Sequence, residues 1–316
     1  MRIWVLSLAV LAQVTSGPEM RPRADYHQHL FSPSICALAG ISTPILAKDL
    51  IALLDEARID KAVVLSLAYQ YGNPNRPPIE NEYERVKAEN DWTSQQVAEY
   101  PERLRAFCGV NPLKDYALAE IDRCAKDPRL RTGLKLHFGN SDVDLGNPDH
   151  VEQLRRVFAA ANRQHMAILV HMRSSVTRKR PYGADRARAF LEKVLPAAPD
   201  VPVVIAHLTG AGGYDDPLVD EALGVFVDAI AKKDARMARV YFDVSGVAGL
   251  GDWRAHAEQV AARIREIGVG RVFYGSDGAG AGNLTPREAW AAFRALPLGD
   301  EEFSTIAANV APFMKF

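Results

Sequence analysis

The sequence has few cysteines and no excess of charge of either sign. Its 316 residues include three cysteines, Cys36, Cys108 and Cys124, and none of them lies in a CxxC pair. This pattern sets aside a disulfide framework, a zinc knuckle and a thioredoxin-like redox motif. The formal charge is −1, from 38 lysines and arginines against 39 aspartates and glutamates. The chain therefore lacks the broad basic surface that a phosphate backbone requires, and we expect no nucleic-acid partner.

The apolar run at the N-terminus is too short to span a membrane. Residues 3–14, a run of 12, are uncharged and mostly apolar and follow Arg2, whereas a spanning helix needs about 20 such residues. Small residues at 15–16 match a signal-peptidase site, so residues 1–16 are predicted to be an export signal and residues 17–316 the mature domain. The protein is then periplasmic or secreted, and free of the membrane after cleavage. Translation from Met20 would instead leave the same domain in the cytoplasm.

Motifs for binding nucleotide phosphates are also absent from the sequence. Glycine clusters occur at residues 210–213 and 278–282. Neither reads GxGxxG after a first strand, and the chain contains no GxxxxGK followed by serine or threonine. We expect these glycines to let the backbone pass close to a functional site rather than to hold a nucleotide.

Short β-rich runs alternate with segments of helical periodicity from residue 24 onwards. Val151, Leu154 and Phe158 recur at helical steps, whereas residues 62–65 are apolar throughout, as parallel strands covered on both faces are. Eight such units in about 290 residues predict a (β/α)8 TIM barrel, with a doubly wound open sheet as the alternative. The predicted strands are residues 24–29, 62–67, 104–110, 133–137, 167–171, 201–207, 239–244 and 271–277.

Side chains that bind metals lie at the ends of five predicted strands. They are His27, His29, His137, His171, His207 and Asp277. Five of the 8 histidines in the chain occupy these positions. The first two are separated by one residue, so their side chains point to the same face of the strand. Because the carboxyl ends of all barrel strands open at one mouth, the sequence predicts that these groups meet there.

Several motifs in the same order and spacing resemble those of the amidohydrolase-related metal-dependent hydrolases. They are Tyr-His-Gln-His-Leu (26–30), Leu-Asp-Glu-Ala-Arg-Ile-Asp-Lys-Ala-Val-Val (54–64), Tyr-Pro-Glu-Arg-Leu-Arg-Ala-Phe (100–107), Val-Asn-Pro (110–112), Gly-Leu-Lys-Leu-His (133–137), Ala-His-Leu (206–208) and Gly-Ser-Asp (275–277). That family includes decarboxylases of the aminocarboxymuconate-semialdehyde type and lactonases of the pyrone-dicarboxylate type. The resemblance covers residues 24–316 and is specific for the superfamily rather than for a substrate.

The resemblance implies one divalent metal ion held by His27, His29, His171 and Asp277, with His207 beside it as an acid–base group. Three imidazoles and one carboxylate suit Zn²⁺, with Mn²⁺ or Fe²⁺ as alternatives. The implied reaction is hydrolysis of an amide, ester or lactone bond in a small molecule by metal-activated water. Asp277 would relay the water's proton to the leaving group, and His207 would orient the water or polarise the substrate carbonyl.

Lys135 bears on the number of metal ions. It lies two residues before His137, so both side chains are expected to face the barrel interior. In binuclear relatives a carboxylated lysine on this strand bridges two metals, whereas the decarboxylase-like branch shows a similar Lys-x-His without a bridge. We therefore expect one metal, with Lys135 and His137 on the substrate side. A structural hydrogen bond is the alternative role for His137.

A cationic loop follows the fifth predicted strand, and Arg173 lies two residues beyond His171. At the barrel mouth Arg173 would be well placed to bind a carboxylated substrate, and a solvated loop is the alternative. Tyr69, Tyr71 and Asn73 follow the second strand and are candidates for the wall of the pocket.

Two other functions fit the same features. A non-hydrolytic decarboxylase or a hydratase would use every predicted ligand, and an exported binding protein without catalysis would keep the barrel. The expected partner is a small molecule in each case. Analogy with the decarboxylase-like branch adds a homodimer as the expected oligomer.

Overall fold

Eight parallel strands form one sheet in chain order in the computed structural model of the protein, which describes residues 20–278 and 282–314. This order confirms the predicted TIM barrel, because a doubly wound sheet does not keep its strands in sequence. The predicted signal, residues 1–16, lies outside the described residues. The strands are β1 (Ala24–Gln28), β2 (Lys61–Leu65), β3 (Leu104–Gly109), β4 (Gly133–His137), β5 (Ala167–His171), β6 (Val203–Ile205), β7 (Val240–Asp243) and β8 (Val272–Phe273).

Helices surround the strands and bury their apolar faces against them. In α5, for example, Val151, Leu154 and Phe158 are all buried, as the helical periodicity predicts. Among the described residues, no helix is both long and apolar enough to cross a membrane. The helices are α1 (Pro33–Ala39), α2 (Ala47–Ala57), α3 (Glu82–Ala98), α4 (Ala117–Cys124), α5 (Pro148–Arg163), α6 (Ala184–Ala189), α7 (Pro217–Ala231), α8 (Ala257–Ile267), α9 (Pro286–Phe293) and α10 (Asp300–Ala308).

The segment after β8 closes the barrel against β1. The backbone N–H of Tyr26 donates to the carbonyl of Tyr274 (2.9 Å), and that of Asp277 donates to the carbonyl of His27 (2.8 Å). Gly275 permits this approach, because a Cβ at its position would lie 2.8 Å from the Cβ of His27. The closure therefore places Asp277 next to the histidines at the end of β1.

A buried carboxylate reinforces the same seam. Asp25 of β1 accepts hydrogen bonds from the backbone N–H and the hydroxyl of Ser276, at 3.1 and 2.6 Å, and from the side-chain amide of Gln28 at 2.7 Å. Burial raises the pKa of Asp25 to about 6, although these hydrogen bonds oppose the shift. The seam is thus held by polar contacts as well as by the apolar core.

Several strands end earlier than predicted, and the largest difference falls at a site residue. β6 ends two residues before His207, and β8 ends four residues before Asp277. His207 and Asp277 have φ values of 54° and 56°, which lie in the left-handed region and cannot continue a strand. Both residues therefore sit in turns beyond the strands, whereas His137 and His171 end β4 and β5 as predicted.

Cys108 and Cys124 form a disulfide, which corrects the sequence analysis, where none of the cysteines was paired. Cys108 lies on β3 and Cys124 ends α4, and their Cα atoms are 6.2 Å apart. Their sequence spacing carries no motif, because only the packing of α4 beside β3 brings the two sulfurs together. Cys36 is buried and free.

We predict that Cys124→Ser lowers the free energy of unfolding by about 3 kcal/mol, because the disulfide closes a loop with a sequence separation of 16 residues. Urea denaturation with and without a reducing agent measures the effect. Reduction should bring the wild-type protein to the stability of the variant and leave the variant unchanged, and Cys36→Ala should keep the response to reduction. A wild-type protein that ignores the reducing agent would contradict the prediction.

Candidate metal centre

The C-terminal ends of the strands open into a cavity of about 300 Å³. All five histidines predicted from the strand ends line it, together with Asp277 and Lys135. The other lining residues are either apolar or aromatic, namely Phe31, Ile41, Leu67, Tyr69 and Ala211, or carry side-chain amides, namely Gln70, Asn140 and Asn283. Topology therefore brings together His27 and Asp277, which lie 250 positions apart in the sequence.

His27 is oriented by a carboxylate that lies deeper in the barrel. Its Nδ1 donates to Oδ2 of Asp243 at 2.9 Å, and both side chains are fully buried. Burial alone would raise the pKa of Asp243, but the neighbouring His27 and His207 outweigh it and hold this pKa well below its usual range. Because Nδ1 carries the proton, Nε2 of His27 offers its lone pair to the cavity.

His29 is held in the same tautomer by a backbone carbonyl. Its Nδ1 donates to the carbonyl of Leu65 at 2.7 Å, so Nε2 is again the free nitrogen. That Nε2 lies 3.7 Å from Oδ1 of Asp277. Burial, followed by the charge of Lys135, lowers the pKa of His29 well below its usual value. A neutral imidazole is the form that ligates a metal ion.

The donor set fits a divalent transition metal. One ligand atom each from His27, His29 and Asp277 lies within 4.8 Å of the other two. The structure thus groups three of the four predicted ligands. The fourth, His171, lines the same cavity, with its ring stacked on His137 at 3.8 Å between centroids. Two oriented Nε2 atoms and a carboxylate suit Zn²⁺, Mn²⁺ or Fe²⁺.

His207 faces the ligand cluster from a strained turn. Residues 207, 208 and 209 have φ values of 54°, 47° and 76°, all left-handed and none of them glycine. Such residues cost about 1–3 kcal/mol each and persist only where the surroundings enforce them. The ring of His207 lies 4.7 Å from that of His27 and 4.9 Å from that of His171. His207 therefore lies where a group that acts next to the metal ion is expected.

The ring of His207 also has a defined tautomer. Its Nδ1 donates to the carbonyl of Ser245 at 2.8 Å, and its backbone N–H donates to Oδ1 of Asp243 at 3.0 Å. Burial, with a contribution from His27, lowers the pKa of His207 to about 4. The neutral ring therefore presents Nε2 as a hydrogen-bond acceptor rather than a donor.

Lys135 and His137 both line the cavity, as their spacing predicts. Lys135 is 1% exposed, and its Nζ lies 3.1 Å from Nε2 of His27. Burial lowers the pKa of Lys135 to about 8, while Asp277 and Asp243 oppose the shift. The lone pair on Nε2 of His27 cannot accept a hydrogen bond from Lys135 and bind a metal ion at the same time. The amine of Lys135 must therefore move away from His27 when a metal ion binds there. The Nδ1 of His137 accepts from the backbone N–H of Asn140 at 3.1 Å, which gives this histidine a structural bond as well.

Among the residues that the structure describes, Arg173 is not one of those that line this cavity. Its guanidinium pairs with Asp216 at 2.8 Å and stacks on Tyr182, 4.5 Å from the ring centroid. A role in substrate binding would require this ion pair to open. Of the three candidate wall residues on the loop after β2, Tyr69 lines the cavity, whereas Tyr71 and Asn73 are buried beside it.

The sequence analysis missed Asp243 and Ser245. Asp243 is the last residue of β7 and ends its strand with a polar side chain, so the rule used for the histidines would have found it. Ser245 carries no such signal, and its role depends on its carbonyl and on a hydroxyl that donates to Asp243 at 2.5 Å. The amide of Gln70 comes from a one-turn 3-10 helix, and those of Asn140 and Asn283 come from loops, and none of these segments has a recognisable sequence pattern.

We predict that Asp243→Asn weakens Zn²⁺ binding by about 10- to 100-fold, because an amide cannot hold His27 in its tautomer and keep its other contacts. Competition with a chelator of known affinity measures the dissociation constant. Asp220→Asn is the matched control, since Asp220 pairs with Arg263 outside the cavity. Unchanged Zn²⁺ affinity in a folded Asp243→Asn protein would show that Asp243 does not support the site.

Comparison with known proteins gives one family and several structures of the same fold. A probable 2-pyrone-4,6-dicarboxylic acid hydrolase from Acinetobacter baumannii is 18% identical, with a TM-score of 0.58 over 90% of this chain and 95% of that chain. An amidohydrolase from Burkholderia multivorans with bound zinc is 14% identical, with a TM-score of 0.60 over 90% and 95%. A dihydroxybenzoic acid decarboxylase from a Polaromonas species, with bound manganese and the inhibitor 2-nitroresorcinol, is 14% identical, with a TM-score of 0.61 over 92% and 95%.

At these identities the structures are evidence for the fold alone. No curated protein sequence shows significant similarity to the chain. A family model described as Amidohydrolase, however, matches residues 24–309 and so covers every residue of the candidate metal centre. The likeness inferred from the sequence motifs is thereby confirmed, and the chain belongs to the amidohydrolase family.

Proposed function

We propose that the protein is a metal-dependent hydrolase that cleaves an amide, ester or lactone bond in a small, carboxylated substrate. The observation that carries the proposal is the position of Asp277. Its carboxylate belongs to the group of potential ligands, and its side chain is 26% exposed to the cavity. The same carboxylate can therefore bind the metal and exchange a proton with a substrate.

A divalent ion, with Zn²⁺ as our first choice, would be held by His27, His29, His171 and Asp277, and when bound it would lower the pKa of a water towards about 7 and polarise an acyl oxygen. Asp277 then takes the proton of the attacking water and passes it to the leaving group. His207 accepts a hydrogen bond from the water through Nε2, because its Nδ1 is committed to Ser245. This geometry favours the water-orienting role of His207 over polarisation of the carbonyl.

The size and polarity of the cavity support a small substrate. A volume of about 300 Å³ holds a single ring or a short chain. Phe31, Leu67 and Tyr69 provide an apolar wall, and the amides of Gln70 and Asn140 offer hydrogen bonds. Lys135 supplies a buried cation toward which a carboxylate would be drawn.

Decarboxylation is the second candidate, and the placement of Lys135 is the observation that favours it. A buried amine beside His27 would attract the carboxylate of an aromatic acid into the metal centre. A decarboxylase with bound manganese shares the fold, which adds support without deciding the reaction. Both reactions use the same ligands, so the products distinguish them: CO₂ released without incorporation of ¹⁸O from labelled water indicates a lyase.

We predict that Asp277→Asn lowers kcat/KM by about 10²–10⁴-fold, because it removes the carboxylate that relays the proton. The assay is a screen of the metal-loaded protein on 2-pyrone-4,6-dicarboxylate, dihydroxybenzoates and simple lactones and amides. Asp220→Asn is the control for loss of one partly buried charge pair outside the cavity. Chelation should abolish turnover, and added Zn²⁺ or Mn²⁺ should restore it.

Two results would contradict the hydrolase. Full activity of Asp277→Asn would show that Asp277 does not relay the proton. A purified protein without a stoichiometric divalent metal would show that the cavity is not a metal centre. A metal-loaded protein that binds these compounds without converting them would indicate the exported binding protein instead.

We also propose that the protein is exported, with cleavage after residue 16. The disulfide between Cys108 and Cys124 supports the proposal, because such bonds persist in oxidising compartments. The mature protein is expected to begin at Gly17, and sequencing its N-terminus from the native source measures this. A native chain that begins at Met1 or Met20 would contradict export by this signal.

A further inference from the structure

The turn that carries His207 is held by further contacts besides the one with Asp243. Thr209, the last of its three left-handed residues, uses its backbone carbonyl to accept a hydrogen bond from the hydroxyl of Tyr182 at 2.5 Å. The hydroxyl of Thr209 donates to the carbonyl of Val219, in the first turn of α7, at 3.0 Å. The two bonds fix the end of the turn to two separate elements.

Tyr182 is itself fixed by a cation and an acid. The guanidinium of Arg173 stacks on its ring, 4.5 Å from the centroid, and pairs with Asp216 at 2.8 Å. Asp216 is the N-cap of α7 and accepts from the backbone N–H of Leu218 at 3.0 Å. Arg173 and Tyr182 are 7% and 8% exposed, so water does not compete strongly for the stacking contact between them.

We propose that Tyr182, braced by Arg173, is a positioning residue for His207. Left-handed backbone at Leu208 and Thr209 is unfavourable for residues that carry a Cβ, so the turn relaxes unless its carbonyl and hydroxyl groups are held. Relaxation would rotate the imidazole of His207 away from the rings of His27 and His171. Arg173 thus acts through the turn and not on the substrate. The inference rests on the proposed function, in which His207 orients the attacking water.

The test is Tyr182→Phe, which removes one hydroxyl and leaves the ring for Arg173 to stack on. Tyr214→Phe is the matched control, because Tyr214 is a buried tyrosine whose hydroxyl donates to Asp220 and not to the turn. The first measurement is hydrogen exchange at the backbone N–H of Gly210, which donates to the carbonyl of His207 at 2.8 Å. We expect exchange to accelerate about tenfold in Tyr182→Phe and to stay at the wild-type rate in the control. An unchanged rate in Tyr182→Phe would overturn the proposal.

The second measurement separates positioning from general stability. Any compound in the screen that is turned over should show kcat reduced about 10- to 100-fold in Tyr182→Phe, with KM and bound Zn²⁺ unchanged. In a His207→Ala background, Tyr182→Phe should have no further effect on kcat, since it acts through the missing ring. Equal losses of kcat in both backgrounds would overturn the proposal.

Arg173→Met distinguishes the brace from substrate binding. As part of the brace, Arg173→Met should lower kcat as Tyr182→Phe does, whereas a rise in KM at constant kcat would make Arg173 a substrate ligand and overturn its place in the brace. Full activity of His207→Ala would count against the proposed function. The exchange rate at Gly210 would then still decide whether Tyr182 holds the turn.

Discussion

The site depends on one buried carboxylate, that of Asp243. Its two oxygens receive the imidazole N–H of His27, the backbone N–H of His207, and the backbone N–H and hydroxyl of Ser245. These donors come from the ends of β1, β6 and β7. A buried anion is tolerated only when its lone pairs are filled, so the strand ends that satisfy Asp243 are held in fixed relation to one another. The tautomer of His27 and the position of the His207 backbone follow from this contact.

Strain at the site is balanced by contacts that lie outside it. His207 and Asp277 leave their strands in left-handed conformations, which sequence propensity disfavours. The seam between β8 and β1 holds Asp277, and the brace of Arg173 and Tyr182 lies against the turn of His207. Functional side chains are thus carried on short turns, while the strands and helices supply the rigidity. This division agrees with the way barrels in general place their chemistry beyond the strand ends.

The sequence predicted the fold and most of the site residues for identifiable reasons. Continuous apolar runs and helical periodicity report burial, which is a local property of strands and helices, so eight βα units could be recognised. His137 and His171 could be assigned to strand ends because the preceding apolar runs stop there. The ends of β6 and β8 were misplaced because a left-handed residue is not marked by its side-chain type. The disulfide and the pairing of Arg173 with Asp216 depend on helix packing, which no local pattern contains.

The sequence by itself determined that this chain is a barrel of one family with imidazoles and a carboxylate at its mouth. Periodicity and the positions of the histidines predict the barrel and its mouth, and the resemblance of the motifs to a known family implies the family. All of these features can be recognised along the chain. Only the tertiary structure decided which nitrogen of His27, His29 and His207 is free, and that Asp243 orients the ring of His27. It also decided that Arg173 faces a tyrosine rather than the cavity. These properties arise from hydrogen bonds between residues far apart in the sequence. They exist only once the barrel has closed and excluded water from the contacts.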